Sequence, residues 1–68
     1  MTVQEIIDSI YSFEGNVNEW LEFEKKITRE ADALNEDDTE SLMESEAMEY
    51  LLMMCDGIRY TEESSATH

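Results

Sequence analysis

The fold is decided by one apolar stretch, residues 47–55, with the sequence AMEYLLMMC. Eight of these nine residues are apolar, so a helix here carries hydrophobic side chains in every direction. Such a helix must be covered on every side. The chain has only 68 residues, enough for one small domain of marginal stability. We therefore expect this helix either to be the centre of the monomer or to keep a spare apolar face.

The helix that contains this stretch is predicted to run from about Thr39 to Asp56. The acidic residues just before it lie next to the positive N-terminal end of the helix dipole, where negative charge stabilises the helix. Gly57 is predicted to end the helix, with Ile58 placed for the hydrophobic contact of a Schellman motif. Residues 61–68 lack apolar periodicity, which predicts a flexible tail after a single helical domain at residues 1–60.

Two further helices are predicted before it. The first spans about residues 3–13 and begins with a capping box formed by Thr2 and Glu5. Gly15 is suited to the left-handed conformation that ends a helix. The apolar positions of this first helix follow the i, i+3, i+4, i+7 spacing of one helical face: Val3, Ile6, Ile7 and Ile10.

The second helix is predicted over about residues 17–34, and Asn16 with Glu19 can cap its start. Its basic residues lie three or four positions from acids, which predicts ion pairs within the helix rather than a nucleic-acid patch. The predicted pairs are Glu22–Lys26, Lys26–Glu30 and Arg29–Asp32.

These elements predict an all-α fold, a helical hairpin plus a third helix that closes into a small three-helix bundle. The third helix has more apolar surface than two short helices can cover, so we expect a homodimer or a binding groove there. Its methionines suit an adaptable interface. The predicted core is Val3, Ile6, Ile7, Ile10, Trp20, Leu21, Ile27, Leu34, Leu42, Ala47, Leu51 and Met54. The predicted apolar interface is Met48, Tyr50, Leu52 and Met53.

The charge balance is the second decisive feature. Eighteen acidic residues against four basic ones give a net charge of −14, yet 41% of the chain is hydrophobic, which argues against disorder. Such a charge repels nucleic acid and anionic membranes. The longest apolar run is too short to span a bilayer, and no secretory signal is visible. With a single cysteine, these features predict a soluble cytoplasmic protein without disulfides.

No motif predicts catalysis, a cofactor or a metal. Residues 35–46 partly match a calcium-binding loop, but the glycine needed at its sixth position is Glu40, and helix capping explains the same acids. One cysteine and one histidine do not make a zinc site. Cys55 lies in an apolar run and is expected to be a buried small hydrophobe. Three short helices offer no evident pocket, so we expect a protein that is not an enzyme.

The acids predict a partner instead. Carboxylates on neighbouring turns of a helix lie about 5–6 Å apart at Cβ, comparable to phosphates along nucleic acid. In size and charge the chain resembles small acidic inhibitors of phages and mobile elements, including DNA mimics and some anti-CRISPR and anti-restriction proteins. That resemblance implies a basic, nucleic-acid-binding partner protein. The predicted partner-binding acidic face is Glu30, Asp32, Glu36, Asp37, Asp38, Glu40 and Glu44.

A second hypothesis places the function on the apolar face of the third helix. The protein would then be an adaptor, an antitoxin-like partner or an assembly subunit, and the charge would serve solubility only. Salt dependence separates the two hypotheses, because carboxylate-driven binding weakens steeply with salt and apolar docking does not.

Overall fold

The computed structural model describes residues 2–66, and the side chains of residues 2–62. This range contains no strand and four helices: α1 Val3–Ser12, α2 Val17–Asp32, α3 Glu36–Met43 and α4 Glu46–Ala66. The all-α prediction is confirmed for this range. The predicted count of three helices is wrong, because the stretch predicted as the third helix forms two separate helices, α3 and α4. None of the described helices is long and apolar enough to cross a membrane.

Helices α1 and α2 begin as predicted, each with a complete capping box. At α1 the Glu5 N–H donates to Thr2 Oγ1 (3.2 Å) and the Thr2 N–H donates to Glu5 Oε1 (3.1 Å). Asn16 and Glu19 make the equivalent bonds at α2, at 2.9 and 3.3 Å. Both reciprocal bonds satisfy N–H groups that lack a partner inside the helix.

The predicted third helix breaks at Glu44 and Ser45. Leu42 and Leu51 are both fully buried, but nine residues separate them, which is about 180° around a continuous helix. An unbroken helix would therefore expose one of the two. Ser45 makes the break: its hydroxyl donates to the Leu42 carbonyl (2.6 Å) and accepts from the Met48 N–H (3.2 Å), which caps α4.

Gly57 does not end the last helix, contrary to the prediction. α4 continues to Ala66, and no glycine of the described chain has a positive φ. Ile58 lies seven residues after Leu51 and packs on the core, so burial favours continuing the helix through the glycine. The predicted tail at residues 61–68 thus begins in helix; Thr67 and His68 lie outside the described residues, and its mobility stays a prediction.

Gly15 is needed for space rather than for a left-handed conformation. A Cβ at Gly15 would lie 3.0 Å from Phe13 Cζ and 3.0 Å from Glu19 Cβ. Phe13 follows α1 in an extended conformation and turns its ring back onto α2. It stacks on Phe23 with ring centroids 4.2 Å apart and meets the edge of Trp20 at 4.8 Å. The glycine therefore lets an aromatic ring close one end of the bundle.

The core lies where all four helices meet, and it confirms most of the predicted set. Of that set only Met54 is clearly outside the core, with 37% of its surface exposed. Three buried residues are absent from the predicted core, Phe23, Ala31 and Met48, and the expected burial of Cys55 is confirmed. The core consists of Ile6, Ile10, Trp20, Phe23, Ile27, Ala31, Leu42, Ala47, Met48, Leu51 and Cys55, with Val3, Ile7, Phe13, Leu21, Leu34 and Ile58 packed against it.

The ion pairs differ from those predicted. Neither Lys26 nor Arg29 approaches an acid of the described chain closely enough to pair, whereas Lys25 pairs with Glu22 at 3.4 Å. The pair that joins two helices is between Arg59 of α4 and Glu24 of α2, and Arg59 also contacts Asp56 at 3.0 Å. None of the three predicted pairs forms among the described side chains. An ion pair between exposed side chains contributes little to stability, so little is lost when such side chains stay in solvent.

Candidate interaction surfaces

The outward face of α3 carries a row of carboxylates. We call Glu36, Asp37, Glu40 and Glu44 the α3 acidic stripe. Glu36, Glu40 and Glu44 are spaced four residues apart, and Asp37 lies three residues before Glu40, so all four share one side of the helix. They are exposed, while Leu42 on the opposite side is fully buried. Among the described side chains, none donates a hydrogen bond to or pairs with these carboxylates.

The remaining predicted acids are placed differently. Asp38 is half-buried, and its carboxylate accepts from Asn35 Nδ2 at 3.1 Å while its N–H donates to Asn35 Oδ1 at 2.8 Å. It therefore belongs to the cap of α3. Glu30 and Asp32 lie in the last turn of α2, two residues and roughly 200° apart, so they do not share a face. The structure brings together four of the seven predicted acids.

The α3 acidic stripe lies in a part of the chain without positive charge. From Glu30 to Ile58, both included, the sequence contains ten acidic and no basic residues. Three of the four basic residues are exposed on α2, at positions 25, 26 and 29. The fourth, Arg59, is engaged by Glu24, and that carboxylate raises the pKa of the guanidinium further. The charge is thus segregated, and α3 has no cation of its own.

A second surface lies on α4. Tyr50, Met53, Met54 and Gly57 follow the i, i+3, i+4, i+7 pattern and form what we call the α4 outer stripe. Met53 is 65% exposed, and Met54 and Tyr50 are 37% and 36% exposed.

The opposite side of α4 is buried in the core. The buried residues include Met48, Leu51 and Cys55. Of the predicted interface, Tyr50 and Met53 lie on the outer stripe, whereas Leu52, 38% exposed, lies roughly 200° around the helix from Tyr50 and therefore on another side of α4. Met48 is only 3% exposed, so the described chain does not offer it to a partner.

Aromatic contacts hold Tyr50, the first residue of the α4 outer stripe, in place. The Tyr50 ring lies 6.0 Å from the Trp20 ring and 6.1 Å from the Tyr11 ring, so it covers the place where α1, α2 and α4 meet. Next to it, a groove of about 300 Å³ separates the start of α2 from α4. Its lining is mainly apolar and comprises Val17, Met54, Gly57, Ile58, Thr61 and Glu62.

The described residues offer neither a reactive cysteine nor a cluster of metal ligands. Cys55 is fully buried, and its thiol donates weakly to the Trp20 carbonyl at 3.6 Å. Burial raises the pKa of this thiol to about 11, and the Glu24 carboxylate adds to the effect, so the thiol is protonated at neutral pH and is not a nucleophile. The stretch that resembled a calcium loop is mostly the helix α3, and no described group of three potential ligands could hold a metal ion.

A groove of about 820 Å³ lies between α1 and α2. The residues that line it include Phe13, Phe23, Lys26 and Arg29. Among the described residues no polar or charged side chain is buried, so the groove has no fixed polar group that would orient a small ligand.

Comparison with known proteins identifies no relative. No protein family, no curated protein and no solved structure matches the chain. A functional interpretation must therefore rest on the chemistry of the two surfaces, the α3 acidic stripe and the α4 outer stripe.

Proposed function

We propose that this protein is a non-enzymatic acidic binding protein that engages a basic, nucleic-acid-binding surface of a partner protein through the α3 acidic stripe. The observation that carries the proposal is the arrangement of Glu36, Asp37, Glu40 and Glu44. All four carboxylates are exposed on one face, without an internal cation, on the part of the chain that has no basic residue.

The spacing of these carboxylates suits a site built for phosphates. Side chains four residues apart on a helix lie about 5–6 Å apart at Cβ, and nucleic acid rises about 3.4 Å per nucleotide along one strand. The eight residues of α3 extend about 12 Å, which corresponds to a short run of phosphates. A lysine- or arginine-lined channel that binds such a run would be occupied by the stripe, and association would be fast and salt-sensitive.

The stripe is also held in place before binding. Leu42 anchors the helix in the core, and the Thr39 hydroxyl donates to the Ala31 carbonyl at 2.9 Å, which ties α3 to the end of α2. Asn35 caps the helix start. A backbone that is already ordered loses less conformational entropy on association, so more of the electrostatic attraction contributes to affinity.

The test uses the immobilised protein and a lysate of its native host. The captured protein is identified by mass spectrometry and purified, and its affinity is then measured between about 50 and 200 mM salt. We expect a nucleic-acid-binding protein whose complex weakens steeply with salt and is displaced by duplex DNA. The variant E36Q/E40Q/E44Q should weaken binding by about tenfold or more, because it removes the aligned charges.

The matched control is D8N/E14Q/E22Q, which removes the same charge from exposed positions outside α3. It should change the affinity much less. Equal weakening by the two triple variants would show that only net charge matters. A captured partner that does not bind nucleic acid, or full binding by the α3 variant, would contradict the proposal.

A second candidate function uses the α4 outer stripe, and the exposure of Met53 favours it. In this case the protein is an adaptor, antitoxin-like partner or assembly subunit that binds another protein through Tyr50, Met53 and Met54. Exposed apolar residues arranged in a helical stripe are typical of surfaces that bind other proteins. The homodimer expected from the sequence would use the same surface.

A further inference from the structure

We infer that the α4 outer stripe is a docking site for a basic amphipathic helix of another protein. The inference rests on the second candidate function and names its partner class; it does not use the α3 acidic stripe. Three features of the described chain support it: the shape of the stripe, the charges around it, and the chemistry of its side chains.

The shape suits a helix. Tyr50, Met53, Met54 and Gly57 lie along one side of α4, and two of them, Met54 and Gly57, line the groove beside Val17. Ridges of one helix pack into such grooves of another. Gly57 is the low point: a Cβ added there would meet no atom within 4 Å. Glycine within a helix costs about 1 kcal/mol relative to alanine, and nothing in the monomer requires it here.

The charges favour a cationic partner. Glu46, Glu49 and Glu62 are exposed around the stripe, and among the described side chains none of them makes an ion pair. Arg59, the one basic residue of α4 in the described range, is bound by Glu24 and Asp56. An apolar stripe with an acidic rim complements a helix that has an apolar face flanked by lysine or arginine. A second copy of this chain would instead bring another net charge of −14 to the same rim.

The side chains of the stripe combine an anchor with adaptable contacts. Tyr50 is braced by Trp20 and Tyr11, so its ring is ordered before a partner arrives. Met53 and Met54 are unbranched and repack against different partner side chains at low cost. A fixed aromatic residue surrounded by flexible thioethers is suited to apolar side chains presented by a helix.

The test uses a synthetic helix as the probe. The peptide contains only leucine and lysine over about 18 residues, with leucines at the spacing of one helical face. A scrambled peptide of the same composition is the reference. Binding is measured by isothermal titration calorimetry, and the site is mapped by amide chemical shifts of the labelled protein. We expect the largest shifts at Val17, Tyr50, Met53 and Gly57, with binding at least about tenfold tighter than for the scrambled peptide.

Two matched variants separate apolar docking from simple charge attraction. M53E and M43E each place a new carboxylate at a position that is more than half exposed, but Met43 lies on α3, away from the stripe. Apolar docking predicts about tenfold weaker binding for M53E and little change for M43E. Charge attraction alone predicts that both variants bind the lysine peptide more tightly.

The outcomes are distinct from those of the proposed function. E36Q/E40Q/E44Q should keep peptide binding if the inference holds, even if it loses the basic partner protein. Equal binding of the two peptides, or shifts centred on α3, would overturn the inference. Sedimentation of the free wild-type protein as a dimer that M53E converts to a monomer would assign the stripe to a second copy and would also overturn it.

Discussion

Helices α2 and α4 are built on opposite principles, although both pack against the same core. α2 buries one stripe and presents polar residues outward, including Lys25, Lys26 and Arg29. α4 also buries one stripe, but its outer side is apolar as well, with Met53 65% exposed. In α2 the apolar residues are buried or half-buried except Val17 at the start of the helix, which is 52% exposed. In α4 the apolar surface exceeds what the monomer can bury.

This difference separates the apolar residues that stabilise the bundle from those that remain exposed on its surface. The residues that a helix needs for folding are those that the other helices reach, and in α4 these are on the side of Leu51 and Cys55. Apolar residues beyond that set stabilise the monomer less, because a third or more of their surface remains in contact with water. Exposed apolar residues in a helical stripe are typical of interaction sites, and this is why we propose the α4 outer stripe as one.

The largest expected effect is a direct test of the two sides of α4. Leu51→Ala removes a fully buried side chain and should lower the free energy of unfolding by about 2–5 kcal/mol, a large part of the stability of a small domain. Met53→Ala should change it by less than about 0.5 kcal/mol. Urea unfolding followed by circular dichroism measures both. Comparable losses would show that the outer side is buried in a stabilising contact, and the contrast between the sides would disappear.

Replacing each of the two glycines with alanine should have an effect of intermediate size on the free energy of unfolding, with opposite signs at the two positions. Gly57→Ala should raise the free energy of unfolding by up to about 1 kcal/mol, because the position is helical and a Cβ meets open space. Gly15→Ala should lower it by about 1–3 kcal/mol, because the Cβ would push against the Phe13 ring. Thermal unfolding gives both values. A lower melting temperature for Gly57→Ala would contradict a helical Gly57 and would support the predicted helix end at this residue.

The smallest expected effect concerns how the helices begin. α1 and α2 start with a carboxylate in a capping box, whereas Ser45 caps α4 without one. The hydrogen bond from the Thr2 N–H lowers the pKa of Glu5 below its ordinary value of 4.5. A lowered folded-state pKa means that this carboxylate stabilises the fold above about pH 4.5 and that the contribution is lost as the pH falls through the folded-state pKa.

Glu5→Gln should therefore destabilise the protein at pH 7 and have less effect at an acidic pH below the folded-state pKa of Glu5, where Glu5 is also uncharged. Chemical unfolding at the two pH values measures the difference. Glu14→Gln, which removes an exposed charge that makes no capping bond, is the control and should not show this loss at pH 7. An equal effect of Glu5→Gln at both pH values would mean that the capping charge contributes nothing.

The first two helices were predictable because their signals are local. Thr2, Glu5, Asn16 and Glu19 define helix starts within four residues, and the apolar spacing identifies the faces that become core. The acidic face was half predictable for the same reason. The α3 acidic stripe follows from spacing within one helix, whereas the roles of Asp38, Glu30 and Asp32 depend on where the ends of two helices lie.

The break at Ser45 could have been found from the sequence, but only with knowledge of the core. The separation of Leu42 and Leu51 excludes their burial by one continuous helix, yet nothing local says that both are buried. The predicted helix end at Gly57 was wrong for a related reason. A glycine near an apolar residue predicts a helix end, but packing of Ile58 against the core outweighs a propensity difference of about 1 kcal/mol.

The sequence by itself determined the helical class, the starts of α1 and α2, most of the core and the acidic character of the surface. These depend on periodicity, capping and composition, which are properties of neighbouring residues. The tertiary structure decided where the last helices break and continue, which glycine is needed for space, and that Met48 is core while Met53 is surface. The physical reason is that burial is shared among helices distant in sequence, so only their assembly determines which apolar residues are covered.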